Sequence, residues 1–73
     1  MSAKLAITVS VNGEILTMPG GSVLELLHLQ RVDTSRKGFA VALNGDVVPR
    51  RDWESQRLSE GDRVEIVGMY KGG

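Results

Sequence analysis

The dipeptide Asn12-Gly13 stands between two short stretches of strand-like residues, and no other feature narrows the possible folds as much. Ile7, Val9 and Val11 alternate with Thr8 and Ser10, the period of a strand with one face buried. Asn-Gly supplies the two consecutive positive φ angles of a type I′ turn, so Glu14 to Met18 is predicted to return antiparallel as the second arm of a hairpin. After Pro19-Gly20-Gly21, Ser22 and Glu25 have the three-residue spacing at which side chain and backbone cap a first helical turn reciprocally. A helix is expected from Ser22. Val23, Leu26 and Leu27 share one face with Leu24 at its border, while Glu25, His28 and Arg31 point elsewhere, giving two to three amphipathic turns that cover the hairpin.

The polar stretch from Val32 to Lys37 leads through Gly38 into a third predicted strand, Phe39 to Leu43. Asn44-Gly45-Asp46 is a second turn signal, and Val47-Val48 form a short extended piece cut off by Pro49, which cannot donate to a ladder. Arg50 to Gln56 is too polar and too short for more than a single helical turn, with Trp53 and Leu58 packing back on the core. Glu60-Gly61-Asp62 makes a third turn, and Val64 and Ile66 alternate with Arg63 and Glu65 in a final strand. Strand, strand, helix, strand, turn, strand is the order of an α+β β-grasp: a mixed sheet of four to five strands crossed by one helix, its first and last strands side by side in the middle. The domain is expected over residues 1–67, with residues 68–73 as a flexible C-terminal Gly-Gly tail.

Composition removes several classes of function. Seventy-three residues make one small domain with no room for an enclosed active site. Nine basic and nine acidic residues are interspersed and cancel, so no basic field marks a nucleic-acid or membrane surface. There is no cysteine and one histidine, which excludes disulfides, thiolate metal sites and a thiol nucleophile. No apolar run approaches membrane-spanning length and Met1 to Lys4 open no signal sequence, so the chain is expected in the cytoplasm. Trp53 reads as a lid on the core. Arg50 and Arg51, beside Asp52 and Glu54, read as a solvated face of mixed charge. His28 is assigned no role, and Asn44-Gly45 is explained by turn geometry.

Gly72-Gly73 close the chain a few residues after the predicted last strand, which ends at Val67. Two residues without a Cβ form a thin thread that a partner's narrow channel admits, leaving the Gly73 carboxylate free for chemistry. Ala42-Leu43-Asn44-Gly45-Asp46-Val47-Val48-Pro49-Arg50, Trp53, Glu60 to Val67 and the diglycine together resemble the ThiS family, the sulfur carriers of thiamine biosynthesis, along nearly the whole chain. The MoaD and ubiquitin-related modifier families share the fold and diglycine but usually lack the Val-Pro-Arg segment. The chain departs from the ThiS pattern at Tyr70-Lys71 and is compact around Pro19.

The resemblance implies a covalent cosubstrate rather than an enzyme. A ThiF-like adenylyltransferase using ATP and magnesium would activate Gly73, with Gly72 giving access. A persulfide relay fed by a cysteine desulfurase would leave a thiocarboxylate, and a ThiG-like thiazole synthase would take the sulfur. No cofactor or metal is expected on this chain itself. Val67, Met69 and Tyr70 are the expected partner-binding residues: Val67 lies with Arg63 and Glu65 on an outer sheet face that Met69 extends toward the tail. Tyr70 either fills a partner pocket or folds back on the end of the sheet. A carrier for another pathway, such as molybdopterin, cysteine or a sulfur-containing natural product, a protein modifier and a plain interaction module are the alternatives.

Overall fold

The Asn-Gly steps set the geometry of the sheet. In the computed structural model, which describes residues 6–68, Asn12 and Asn44 take φ of 49° and 51° and the glycines after them 88° and 91°, the left-handed pair of a type I′ turn. Each turn closes a hairpin: β1 (Ile7–Val11) with β2 (Glu14–Met18), and β3 (Phe39–Leu43) with β4 (Asp46–Val48). β5 (Arg63–Gly68) enters between them, parallel to β1 and antiparallel to β3, for a sheet order β2-β1-β5-β3-β4. The first and last strands are therefore neighbours in the interior, and five strands with one helix make the expected ubiquitin-like β-grasp. Gly68, assigned by the sequence pattern to the tail, ends β5 opposite Phe39.

The helix α1 (Val23–Leu29) begins where the capping pair predicts. The Glu25 N–H donates to Ser22 Oγ at 3.2 Å and the Ser22 N–H to Glu25 Oε1 at 2.9 Å. Two more first-turn donors find carbonyls outside the helix, Val23 N–H on Gln56 and Leu24 N–H on Trp53, each at 2.9 Å. No first-turn N–H is left buried without an acceptor, which would cost about 1–3 kcal/mol each. Gly21 is required beside this cap: its φ is +145°, and a Cβ there would overlap the Glu25 carboxylate. At the other end Val32 N–H reaches Leu27 O and Arg31 N–H reaches His28 O, with Arg31 at φ 60°, so an arginine fills the left-handed position that glycine usually takes.

Val23, Leu26 and Leu27 are fully buried against Val9, Met18, Val41 and Val64 of the sheet. Each such side chain contributes about 1.5–3 kcal/mol relative to exposure. Trp53 closes the core as a lid, 3% exposed, its Nε1–H donating to Val48 O at 2.9 Å and its ring stacked on Phe39 at 5.4 Å between centroids.

Arg50 corrects the expectation of a purely solvated charged face. Its guanidinium carbon lies 4.5 Å from the Trp53 ring centroid and 5.5 Å from that of Phe39, and its nitrogens donate to the carbonyls of Thr34 and Arg36. The planar fork ties the connection after α1 to the lid of the core, a task a lysine's point charge would not do. Arg51 next to it is exposed.

Candidate functional site

β5 is the strand that leads toward the diglycine, and both of its flanks are braced by the asparagines of the hairpin turns. The Asn12 side chain acts as one more peptide at the end of β1: its Oδ1 accepts from Ile66 N–H at 2.7 Å and its Nδ2 donates to Ile66 O at 3.2 Å. On the other flank Asn44 Oδ1 accepts from Arg63 N–H at 2.8 Å, while its Nδ2 donates to Asp62 Oδ1 at 3.0 Å. The other Asp62 oxygen accepts from Ser59 N–H at 2.8 Å, and Gly61, at φ +85°, turns so that its N–H meets Thr8 O at 2.7 Å. Turn geometry thus accounts for only half of what Asn44 does. An asparagine that must adopt positive φ still has a free amide, which is the signal in the sequence that a second bond could form.

Register divides the residues of β5 between two faces. Val64 and Ile66 face the helix, whereas Arg63, Glu65 and Val67 lie opposite Ser10, Ala42 and Ala40 on the outer face. Val67 is 66% exposed there, and Val47, which pairs with Ala42, is 68% exposed. Val67, Ala40, Ala42 and Val47 form an apolar stripe flanked by the Glu65 carboxylate, a composition suited to docking a partner rather than to holding the fold. Of the expected partner residues Val67 is therefore where the alternation puts it. Met69, Tyr70, Gly72 and Gly73 lie outside the described residues.

Among the described residues, no group of three or more His, Asp or Glu side chains could hold a metal ion. His28 is exposed on the last turn of α1. Asp33 has its carboxyl held below the usual range by the Ser35 hydroxyl at 2.6 Å and then the Ser35 N–H at 3.1 Å, the bonds of a local turn. No helix of the described residues is long and apolar enough to cross a membrane. The geometry is that of a small rigid platform with an apolar face beside a braced strand.

The ThiS family model matches residues 6–73, through the braced strand and on to the diglycine. The chain belongs to the ThiS family. The sulfur carrier protein ThiS of Escherichia coli (strain K12) is 33% identical over 54 residues, covering 74% of this chain and 79% of that protein. The crystal structure of the thiamine biosynthesis protein ThiS from Geobacter metallireducens superimposes with a TM-score of 0.74 at 30% identity, over 92% of this chain and 100% of that one. A solution structure of a thiamine biosynthesis protein from the same organism gives 0.73 at 30% identity, over 92% and 88% of the two chains. The ThiS resemblance read from Asn44 to Arg50 and from Glu60 to Val67 is thus confirmed along the chain, and so is the β-grasp.

Proposed function

We propose that the chain is the sulfur carrier of thiamine (thiazole) biosynthesis, with the Gly73 carboxylate as the group that carries sulfur. The observation that supports this most is the ThiS family match running through residue 73, on a chain without cysteine. An α-carboxylate, with a pKa of about 3.3–3.7, is ionised at neutral pH and has no leaving group, so it must be activated before sulfur can attach. A ThiF-like adenylyltransferase uses ATP and magnesium: a Gly73 carboxylate oxygen attacks the α-phosphorus of ATP and pyrophosphate leaves. A persulfide sulfur, drawn from a cysteine desulfurase, attacks the acyl carbon and AMP leaves. A thiolate then cleaves the S–S bond, freeing the thiocarboxylate and leaving a disulfide on the donor. A ThiG-like thiazole synthase consumes the sulfur, and the chain returns as a cosubstrate of cytoplasmic enzymes.

In this reading the outer face, with Val67 and Met69, docks the partner while Gly72 lets the thread reach the reacting atoms. An alanine added after Gly73, or Gly72→Phe, is expected to abolish ATP-dependent pyrophosphate release with the ThiF-like partner while the circular-dichroism spectrum stays that of the parent. Undiminished release from the extended chain would overturn the assignment of Gly73.

A further inference from the structure

β2 lies at one border of the sheet and, among the described residues, pairs with β1 alone. The hydrogen bonds of β1 fix which way the peptide groups of β2 point. Ser10 N–H donates to Asp62 O at 3.0 Å, Asn12 N–H donates to Val64 O at 2.9 Å, and Thr8 O accepts from Gly61 N–H at 2.7 Å, so the even positions of β1 face β5 and the turn before it. Ile7, Val9 and Val11 are left to bond Met18, Leu16 and Glu14, their partners in register. The N–H and C=O groups of Ile15 and Thr17 therefore point away from the sheet. Both residues are exposed, Ile15 at 73%.

The opposite border of the sheet is guarded and this one is not. β4 has three residues, of which only Val47 turns its peptide groups outward, and Pro49 follows at once. β2 runs for five residues without proline, lysine or arginine, and its one charge is Glu14 beside the turn. We propose that β2 is the site at which a second copy of this chain adds, antiparallel and with Leu16 on the twofold axis, making one sheet continuous through both copies. In that register Ile15 of one copy and Thr17 of the other exchange N–H···O=C bonds, and the symmetry repeats the exchange, so no outward group of Ile15 or Thr17 is left without a partner. Leu16 meets its own counterpart across the axis, and Ile15 packs beside the second copy's Thr17. Glu14 lies opposite Met18, which keeps the two like charges roughly 13 Å apart along the strands, beyond the Debye length of about 8 Å in physiological salt. The contact uses the same strand of both copies and closes at two. Because β1 stands between β2 and β5, the pairing leaves the stripe at Val67 open. Strand pairing alone buries less than about 1,200 Å², the size of a transient interface, so the two copies exchange with free chains.

Sedimentation equilibrium of the full chain, from about 10 μM to about 1 mM, is expected to show an average mass rising toward twice that of one chain. Over the same range the amide resonances of Ile15 and Thr17 are expected to shift and those of Val47 and Val67 to stay. Ile15→Pro, which removes an outward N–H that β1 does not use, and Ile15→Lys, which sets a charge on the open edge, are each expected to hold the mass at that of one chain while the circular-dichroism spectrum stays that of the parent. A mass that remains that of one chain at the highest concentration would overturn the proposal. So would association in which the Ile15 and Thr17 amides do not move, or association that survives in folded Ile15→Lys. None of these measurements involves an activating partner, nucleotide or sulfur, so their failure leaves the carrier function of Gly73 untouched.

Discussion

On the helix side of the sheet Val9, Val41 and Val64 are almost wholly buried, whereas on the other side Ile15, Val47 and Val67, placed there by the same alternation, stand open to solvent. The residue types are the same, so hydrophobicity alone does not separate the two sets. What separates them is α1, which covers one face and leaves the other bare. Apolar area under the helix is removed from water and stabilises the fold, while area on the bare face contributes little until a partner covers it. β5 contributes side chains to both faces of the sheet. Val64 anchors that strand in the core, and Val67, three residues on, stands exposed on its other side.

The comparison predicts a wide separation between substitutions on the two sides. Trp53→Ala removes a buried ring, its Nε1–H bond to Val48 and the surface on which Arg50 rests, and is expected to cost about 3–5 kcal/mol in urea or thermal unfolding. For a domain this small that is a large part of the total stability. Val67→Ala is expected to change stability by less than about 0.5 kcal/mol and yet to raise the KM of the chain severalfold in adenylation by its partner. Equal stability losses for the two variants, or an unchanged KM for Val67→Ala, would break the division of labour between the faces.

Features set by neighbouring residues were legible in the sequence. Asn12-Gly13 and Asn44-Gly45 have their turns because positive φ is a local demand, and Ser22 with Glu25 caps α1 because three-residue spacing is a local geometry. The placement of β1 beside β5 followed from the antiparallel hairpin and the crossover helix. Bonds between distant segments were not legible. The Arg50 clasp on Thr34 and Arg36, the carbonyls of Trp53 and Gln56 at the start of α1, and the side chains of Asn12 and Asn44 on β5 all depend on tertiary juxtaposition. In sequence Arg50 is one charge among Arg51, Asp52 and Glu54, and only the fold brings two aromatic rings and two carbonyls to it. Of the candidate site, the place of Val67 on the outer face was legible from strand parity, while Gly72-Gly73 lie outside the described residues.

Intact-protein mass spectrometry of the chain after incubation with its ThiF-like partner, ATP, magnesium and a persulfide donor tests the carrier function most directly, with a variant lacking Gly72-Gly73 as control. A mass gain equal to replacing one oxygen by one sulfur, absent from the control, is the predicted result. An unchanged mass for a folded chain ending in Gly73, under conditions where the partner consumes ATP on a known sulfur carrier, would contradict it.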